Sequence, residues 1–430
     1  MINVVMISKK DFAGSGNRIA EAVNLYSNGV NIRLITAKRN IFHYNVDYCL
    51  DSVKKPFLQE IINNADIIHF KGDDLPVKNW YGLKIPNVPV ILTVGGSGFR
   101  RHTENCQLSL SWHLIENYIN TSDFRTTITA DLNYKEFDAI YSPHCLDTLS
   151  QKNYFELKEI PIIQHSPSNR GKKGTDNIIL PAIQILKSKG YNFTFELLEN
   201  LSNKKCLERK KNATIFIDQI CETGHFGISA IESMQYGIPT ICHISENSIK
   251  QSNGILENCP IINVDISINS LVDKLEYLLT KADLKAISNE TKLYTDTYHS
   301  YLFAANFWEN IYKKIYAQNI NRIQSAKASE FLSKKDYFLN INEMETVKIR
   351  IISAKLGKIN EVRETSITKA NEFIRKGYAI KFIPNVKKEV EKPDFDYKEA
   401  EITAKTKELI LPETKTKEIG KKGRGRKRKE

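Results

Sequence analysis

Nothing in the 430-residue sequence is apolar over the length of a membrane span, and no signal peptide stands before the first strand pattern. The seven cysteines (Cys49, Cys106, Cys145, Cys206, Cys221, Cys242 and Cys259) are odd in number and never fall as Cys-x-x-Cys. That spacing argues against a zinc site and for a reducing compartment, so the expected location is the cytoplasm, a host's if the chain is viral. A complete dinucleotide fingerprint is also missing. Gly14-Ser15-Gly16 is followed by Ile19 where Gly-x-Gly-x-x-Gly needs its third glycine. No acidic ribose ligand follows the second strand pattern, Asn31–Thr36, which removes a nicotinamide or flavin cofactor.

What is present suffices for two cores and an appendage: 41% of the residues are hydrophobic and 10% aromatic. Strand patterns alternate with helical ones, which predicts an α/β fold with parallel sheets. The formal net charge is +12, but the last ten residues, KKGRGRKRKE, carry seven positives against one negative and so supply half of it. The body of the chain is only mildly basic, and its charge is no nucleic-acid footprint.

Ile217–Pro239 is the most informative segment. An apolar run ends in Asp218-Gln219, a loop follows, and Phe226-Gly227 opens a helix that carries Glu232 and stops at Gly237-Ile238-Pro239. Free backbone N–H groups at such a helix start suit an anion, commonly phosphate. A second block, Ile160–Ile179, reads as strand, polar loop and helix, with Arg170, Lys172 and Lys173 in the loop. At the N-terminus Asn3–Ser8 is a buried-type strand, and Asp11–Asn24 is a glycine loop running into an amphipathic helix. Ala65–Phe70 is a strand pattern containing His69, Val88–Val94 is another, and Phe137–Ser142 is the last full strand of this half.

The Ile217–Pro239 segment resembles the nucleotide-sugar pocket of family 4 (group 1) retaining glycosyltransferases, whose pattern is Glu-x-Phe-Gly-x4-Glu-Ala-Met-x-x-Gly-x-Pro. Phe226, Gly227, Glu232, Met234, Gly237 and Pro239 match it; Gly224 stands where the first glutamate belongs, with Glu222 two residues earlier. The resemblance implies the GT-B fold, two Rossmann-like domains with a facing cleft, and sugar transfer of the hexosyltransferase type from a nucleotide sugar to a glycan, lipid or protein acceptor. It implies retention and no metal; no Asp-x-Asp ends a strand near the cleft. It casts Glu232 as the ribose ligand and places Gly227, Ile228, Ser229 and Glu222 around the donor. Arg170 and Lys173 become the cations that neutralise the leaving diphosphate. Gly14 and Gly16 would line the cleft near the donor phosphates. His69 enters as a catalytic candidate with a packed strand-end histidine as the alternative reading, and Arg100 and His102 could meet the acceptor or a phosphate. Relatives carry His-Gly-Ser where this chain has Gly95-Gly96-Ser97.

The expected organisation is an acceptor-side domain over 1–155, a donor domain over 156–290, and crossover helices over 291–320, where Tyr298–Tyr316 is an aromatic-rich helix. A linker over 321–343 leads to a small β–β–α–β module at 344–385, which loosely resembles modules of phage structural proteins. A disordered Lys/Arg-rich tail closes the chain over 386–430 and would make non-specific nucleic-acid contact. Gly224 and Gly95 keep a second function open: a GT-B scaffold with decayed chemistry, acting as a nucleic-acid- or virion-associated binding protein.

Overall fold

A computed structural model describes residues 1–39, 44–72, 76–95, 99, 116–133 and 137–324, with three further strands between 346 and 381. Arg100, His102, the linker beyond 324, the module helix at 367–375 and the basic tail lie outside the described residues. In the first domain β1 (Ile2–Ser8) leads into α1 (Ser15–Tyr26), β2 (Val30–Thr36), β3 (Tyr48–Cys49), α2 (Lys55–Asn63) and β4 (Ile67–Lys71). A short hairpin, β5 (Asn79–Trp80) and β6 (Leu83–Lys84), precedes β7 (Val90–Val94), β8 (Phe124–Thr127) and β9 (Ile140–Tyr141). The sheet is parallel, in the order β3-β2-β1-β4-β7-β8-β9. Its central strands are covered on both faces, so β1 carries the unbroken apolar run Val4–Ile7 rather than an alternating pattern, and β4 is buried throughout, His69 and Lys71 included. Within β1, Val4 and Met6 pack towards Ile19 and Val23 of α1, and Val5 and Ile7 towards Leu58 and Ile62 of α2.

The second domain opens with β10 (Ile162–His165), a single π turn at Thr175–Ile179, and α3 (Leu180–Ser188). Then come β11 (Thr194–Leu197), α4 (Asn203–Lys210), β12 (Ile215–Ile217), α5 (Ile228–Met234), β13 (Thr240–Cys242), α6 (Glu246–Gln251), β14 (Ile262–Asn263) and α7 (Ile268–Thr280). Serines cap several of these helices: Ser202 Oγ accepts from Lys205 N, Ser245 from Ser248 N and Ser267 from Ser270 N. Strand order in this parallel sheet is β11-β10-β12-β13-β14.

The chain passes between the domains twice. After β9 it leaves through His144 and Leu146; after α8 (Leu284–Tyr298) it returns through His299 and Ser300 into α9 (Tyr301–Gln324). The two passages run side by side, because Leu146 N donates to His299 O at 2.8 Å and His299 Nδ1 donates to His144 O at 2.7 Å. Helix α9 then lies against α1, and its Ala304, Trp308, Ile311, Tyr312 and Ile315 complete the first core at helical spacing. A further core spans both domains, joining Tyr141 and Leu146 to Phe226, Ile231 and Met234. Beyond α9, β15 (Thr346–Ile351) pairs antiparallel with β16 (Val362–Ser366) and β17 (Ala379–Lys381).

Candidate active site

In the second sheet's own count the order is 2-1-3-4-5, so β10 and β12 are the neighbours at which the winding reverses. Ligands of open parallel sheets sit outside the carboxyl ends of such a pair. Those ends carry His165-Ser166 and Asp218-Gln219 here. A cavity of about 570 Å³ lies there, lined from the first domain by Phe12, Ala13 and Tyr44. From the second domain it is lined by Ser166–Arg170 and Lys173, by the loop Leu198–Leu201, by Asn203, Cys206 and Lys210, and by Ile228, Ser229 and Glu232.

Glu232 reaches the cavity from the second turn of α5 and is only 4% exposed. Its Oε2 takes Lys210 Nζ at 2.8 Å, and its Oε1 takes Asn203 Nδ2 at 3.1 Å with Arg18 Nη2 of the first domain at 3.6 Å. Burial pushes this carboxyl up, but Lys210 and then Arg18, helped by hydrogen bonds from Lys210 and Asn203, outweigh burial and hold it below its ordinary value. Glu232 is therefore an anion in a dry wall, with lone pairs left to accept from a ligand hydroxyl.

The cationic loop lines the same cavity. Arg170 is tied to Asp176 at 2.5 Å and to Glu199 at 3.1 Å, and stays well exposed. Lys173 Nζ donates to Asp218 Oδ1 at 3.2 Å and to Gln219 Oε1 at 2.5 Å. Asp218 also accepts from Gly227 N at 2.7 Å, so the backbone donor expected to face an anion is turned onto a carboxylate of the same domain. Gly174 makes the turn between loop and helix possible: its φ is +72°, and a Cβ there would run into the Ile220 carbonyl.

The structure thus brings together Arg170, Lys173, Ile228, Ser229 and Glu232. Gly227 sits behind them. Glu222 is exposed and does not line the cavity. Gly14 borders a neighbouring polar cavity of about 280 Å³ with Arg18, Glu21 and Tyr301. Gly16 is buried and lines neither cavity: its N–H donates to Asp11 Oδ1 at 2.7 Å, and Asn17 N donates to Asp11 Oδ2 at 3.0 Å. His69 is corrected. It is wholly buried beneath α9, with Tyr312 OH 2.8 Å from Nδ1 and Thr93 Oγ1 2.6 Å from Nε2, and burial followed by the Lys71 charge lowers its pKa to about 3. No atom of it is placed to touch a substrate; it is the packed strand-end histidine.

Both departures from the family pattern have a steric reason. Gly224 has φ +61°, and a Cβ there would stand 2.7 Å from Ser245 Oγ, so a glutamate does not fit this loop conformation. At Gly95 a Cβ would collide with the Ile128 side chain. Four polar residues that sequence reasoning passed over complete the site: Arg18, Asn203, Lys210 and Asp218. Asp218 was visible as a strand end. Nothing marks Lys210 among the charges of NKKCLERKK.

Among the described residues no group of three or more His, Cys, Asp or Glu is arranged to hold a metal ion, and no helix is long and apolar enough to cross a membrane. No protein-family model matches the chain, and no curated protein sequence does. Solved structures match it. A sucrose-phosphate synthase from Thermosynechococcus elongatus aligns with a TM-score of 0.51 at 13% identity, over 74% of this chain and 100% of its own. A glycosyltransferase from Rickettsia africae aligns at 0.51 and 13% identity, over 73% of this chain and 98% of its own. Anabaena HepE in complex with UDP aligns at 0.50 and 9% identity, over 73% of this chain and 100% of its own. Likeness at such identities is a likeness of fold, and the two parallel sheets facing one cleft agree with it: the chain has the GT-B fold, two Rossmann-like domains joined by a double crossing.

Proposed function

We propose that the protein is a retaining glycosyltransferase of the family 4 type, which binds a nucleotide sugar in the cavity at the β10/β12 switch point. One observation carries the reading: a buried carboxylate, Glu232, and two cations, Arg170 and Lys173, line a single cavity that the first domain also borders. Glu232 accepts from the ribose hydroxyls. The bond from the sugar's C1 to the diphosphate breaks as an acceptor hydroxyl oxygen bonds to C1, negative charge develops on the departing diphosphate, and the hydroxyl's proton passes to an oxygen of that diphosphate. Arg170 and Lys173 stabilise that charge by exchanging Asp176, Glu199 and Asp218 for phosphate oxygens. The acceptor, a glycan, lipid or protein, enters from the side of the first domain.

The test is a panel of UDP-, ADP- and GDP-sugars read by thermal stabilisation and by donor hydrolysis, with and without EDTA. One donor should stabilise the protein and be turned over, unaffected by EDTA. Arg170→Ala and Lys173→Ala should each lower turnover by roughly 10²–10³, as for a lost electrostatic stabiliser. Strict dependence on manganese or magnesium would overturn the metal-free reading. Gly224 favours a second reading, a GT-B scaffold that binds a nucleotide without chemistry, since its backbone leaves no room for the sugar-contacting glutamate. Stabilisation by a nucleotide sugar with no hydrolysis or transfer would establish that reading instead.

A further inference from the structure

We propose that Lys210 is a positioning residue for the nucleotide pocket: its buried ammonium aims the Glu232 carboxylate and the Ser229 hydroxyl into the cavity. The proposal rests on the reading of this cavity as the donor site. Lys210 ends α4 and is 0% exposed. An ammonium has three donors, and Lys210 Nζ spends them on Ser229 O at 3.1 Å, Ser229 Oγ at 2.7 Å and Glu232 Oε2 at 2.8 Å. It also stands 4.9 Å from the centroid of the Phe216 ring, so the lysine is packed as well as bonded.

All three bonds go to α5, and both side chains they hold are cavity walls. Ser229 Oγ in turn lies 2.8 Å from Ser166 Oγ, which extends the chain of contacts from α4 across α5 to the loop after β10. A buried ion pair seldom stabilises a fold more than an apolar pair of the same volume would. Its value here lies in what it presents to the cavity.

Charge follows from the same geometry. Glu232 is faced by Lys210 from α4, by Arg18 from α1, and by the phenols of Tyr44 and Tyr236, both raised by burial first and then by this carboxylate. Burial is the largest influence on Glu232 and acts upwards; Lys210 is the first of those that oppose it. Without Lys210, Arg18 at 3.6 Å is left to oppose burial. Glu232 should then hold its proton to higher pH than in wild type and, once protonated, lose its power to accept from a ribose hydroxyl.

The experiment compares wild type, Lys210→Met, Lys210→Gln and Lys210→Arg between pH 6 and 8. Lys210→Gln keeps a donor for Ser229 without the charge, and serves if the methionine variant fails to fold. Donor affinity is measured with UDP-, ADP- and GDP-glucose, whose esterified diphosphates do not titrate in this range. The Glu232 carboxyl is followed by ¹³C NMR and assigned by its loss in Glu232→Gln. The uncharged variants should bind the donor about tenfold more weakly at pH 6 than at pH 8, with Glu232 titrating upwards in step. Wild type and Lys210→Arg should change less than about twofold. An uncharged variant whose Glu232 titrates as in wild type overturns the proposal, as does weaker binding with no pH dependence. A wild type that binds none of the three donors overturns the nucleotide reading instead, and is distinguished because the carboxyl titration needs no ligand.

Discussion

Glu232 carries two burdens, and substitutions separate them. Glu232→Ala should weaken nucleoside diphosphate binding by about 1–3 kcal/mol, the worth of a charged hydrogen bond. It also strands the Lys210 ammonium in a dry wall, which should cost about 3–5 kcal/mol of stability. Calorimetric titration with UDP, GDP and ADP beside urea denaturation of the same variant would read both; full affinity for all three nucleotides would remove Glu232 from the site. At this scale the sequence was legible where partners are local. Glu232, Ile228 and Ser229 fall within one helix start, and Arg170 and Lys173 within one loop, so a resemblance over two short segments was enough to single them out, and the structure sets all five around one cavity. Lys210 and Arg18 are tied to Glu232 only by the fold, and His69 is settled by Tyr312, which lies 243 residues away. Such pairings leave no periodic trace in the chain.

Among the elements, α9 was the most readable and has the plainest energetics. The sequence YLFAANFWENIYKKIY places its large apolar side chains three and four apart, and the structure turns that stripe onto α1 and β1, with the helix starting at Tyr301 rather than Tyr298 because α8 ends there and His299 and Ser300 carry the chain across. Trp308 is 1% exposed; its ring centroid stands 4.8 Å from His69 and 5.6 Å from Tyr312. Trp308→Ala should cost about 3–5 kcal/mol by urea unfolding, the usual toll of an aromatic removed from a packed interior. A loss below about 1 kcal/mol would mean that α9 merely rests on the first domain rather than completing its core. Strands β1, β2, β4 and β7 were read in the same way, but β8, which sets Arg125 among threonines, and β11, which alternates Thr194 and Glu196 with Phe195 and Leu197, carry no apolar run to announce them. The loop around Gly16 was not legible for an electrostatic reason: a glycine loop before a helix looks the same in sequence whether a ligand or its own Asp11 takes the backbone N–H groups.

For the whole molecule, buried histidines set the response to acid. Burial lowers His69 to about 3 and His165 and His299 to about 4, each from an ordinary value of 6.5. The unfolded chain takes up these protons near pH 6.5 and the folded chain only near 3 to 4. Below 6.5 the unfolded state therefore binds more protons, and stability falls with pH by about 1.4 kcal/mol per unit for each histidine. Above 6.5 the three contribute no slope. Glu232, held low, adds a loss only as pH falls below its ordinary 4.5. Urea midpoints should be level from pH 7.5 to 8.5 and drop steeply towards pH 5; equal midpoints at 7.5 and 5 would contradict the burial of these rings.

The return of α9 makes the first domain a product of two separate segments of the chain, with the second domain an insertion between them. A cut in the exposed segment after the first passage, for instance behind Lys152, should leave two pieces that stay mated, because the later piece carries the helix that fills the earlier one's core. Size-exclusion chromatography after limited trypsin treatment would show one peak and two bands, or two peaks if the mating is weak. The same logic makes the protein divisible: fragments expressed separately on either side of Lys152 should reassemble into one working body.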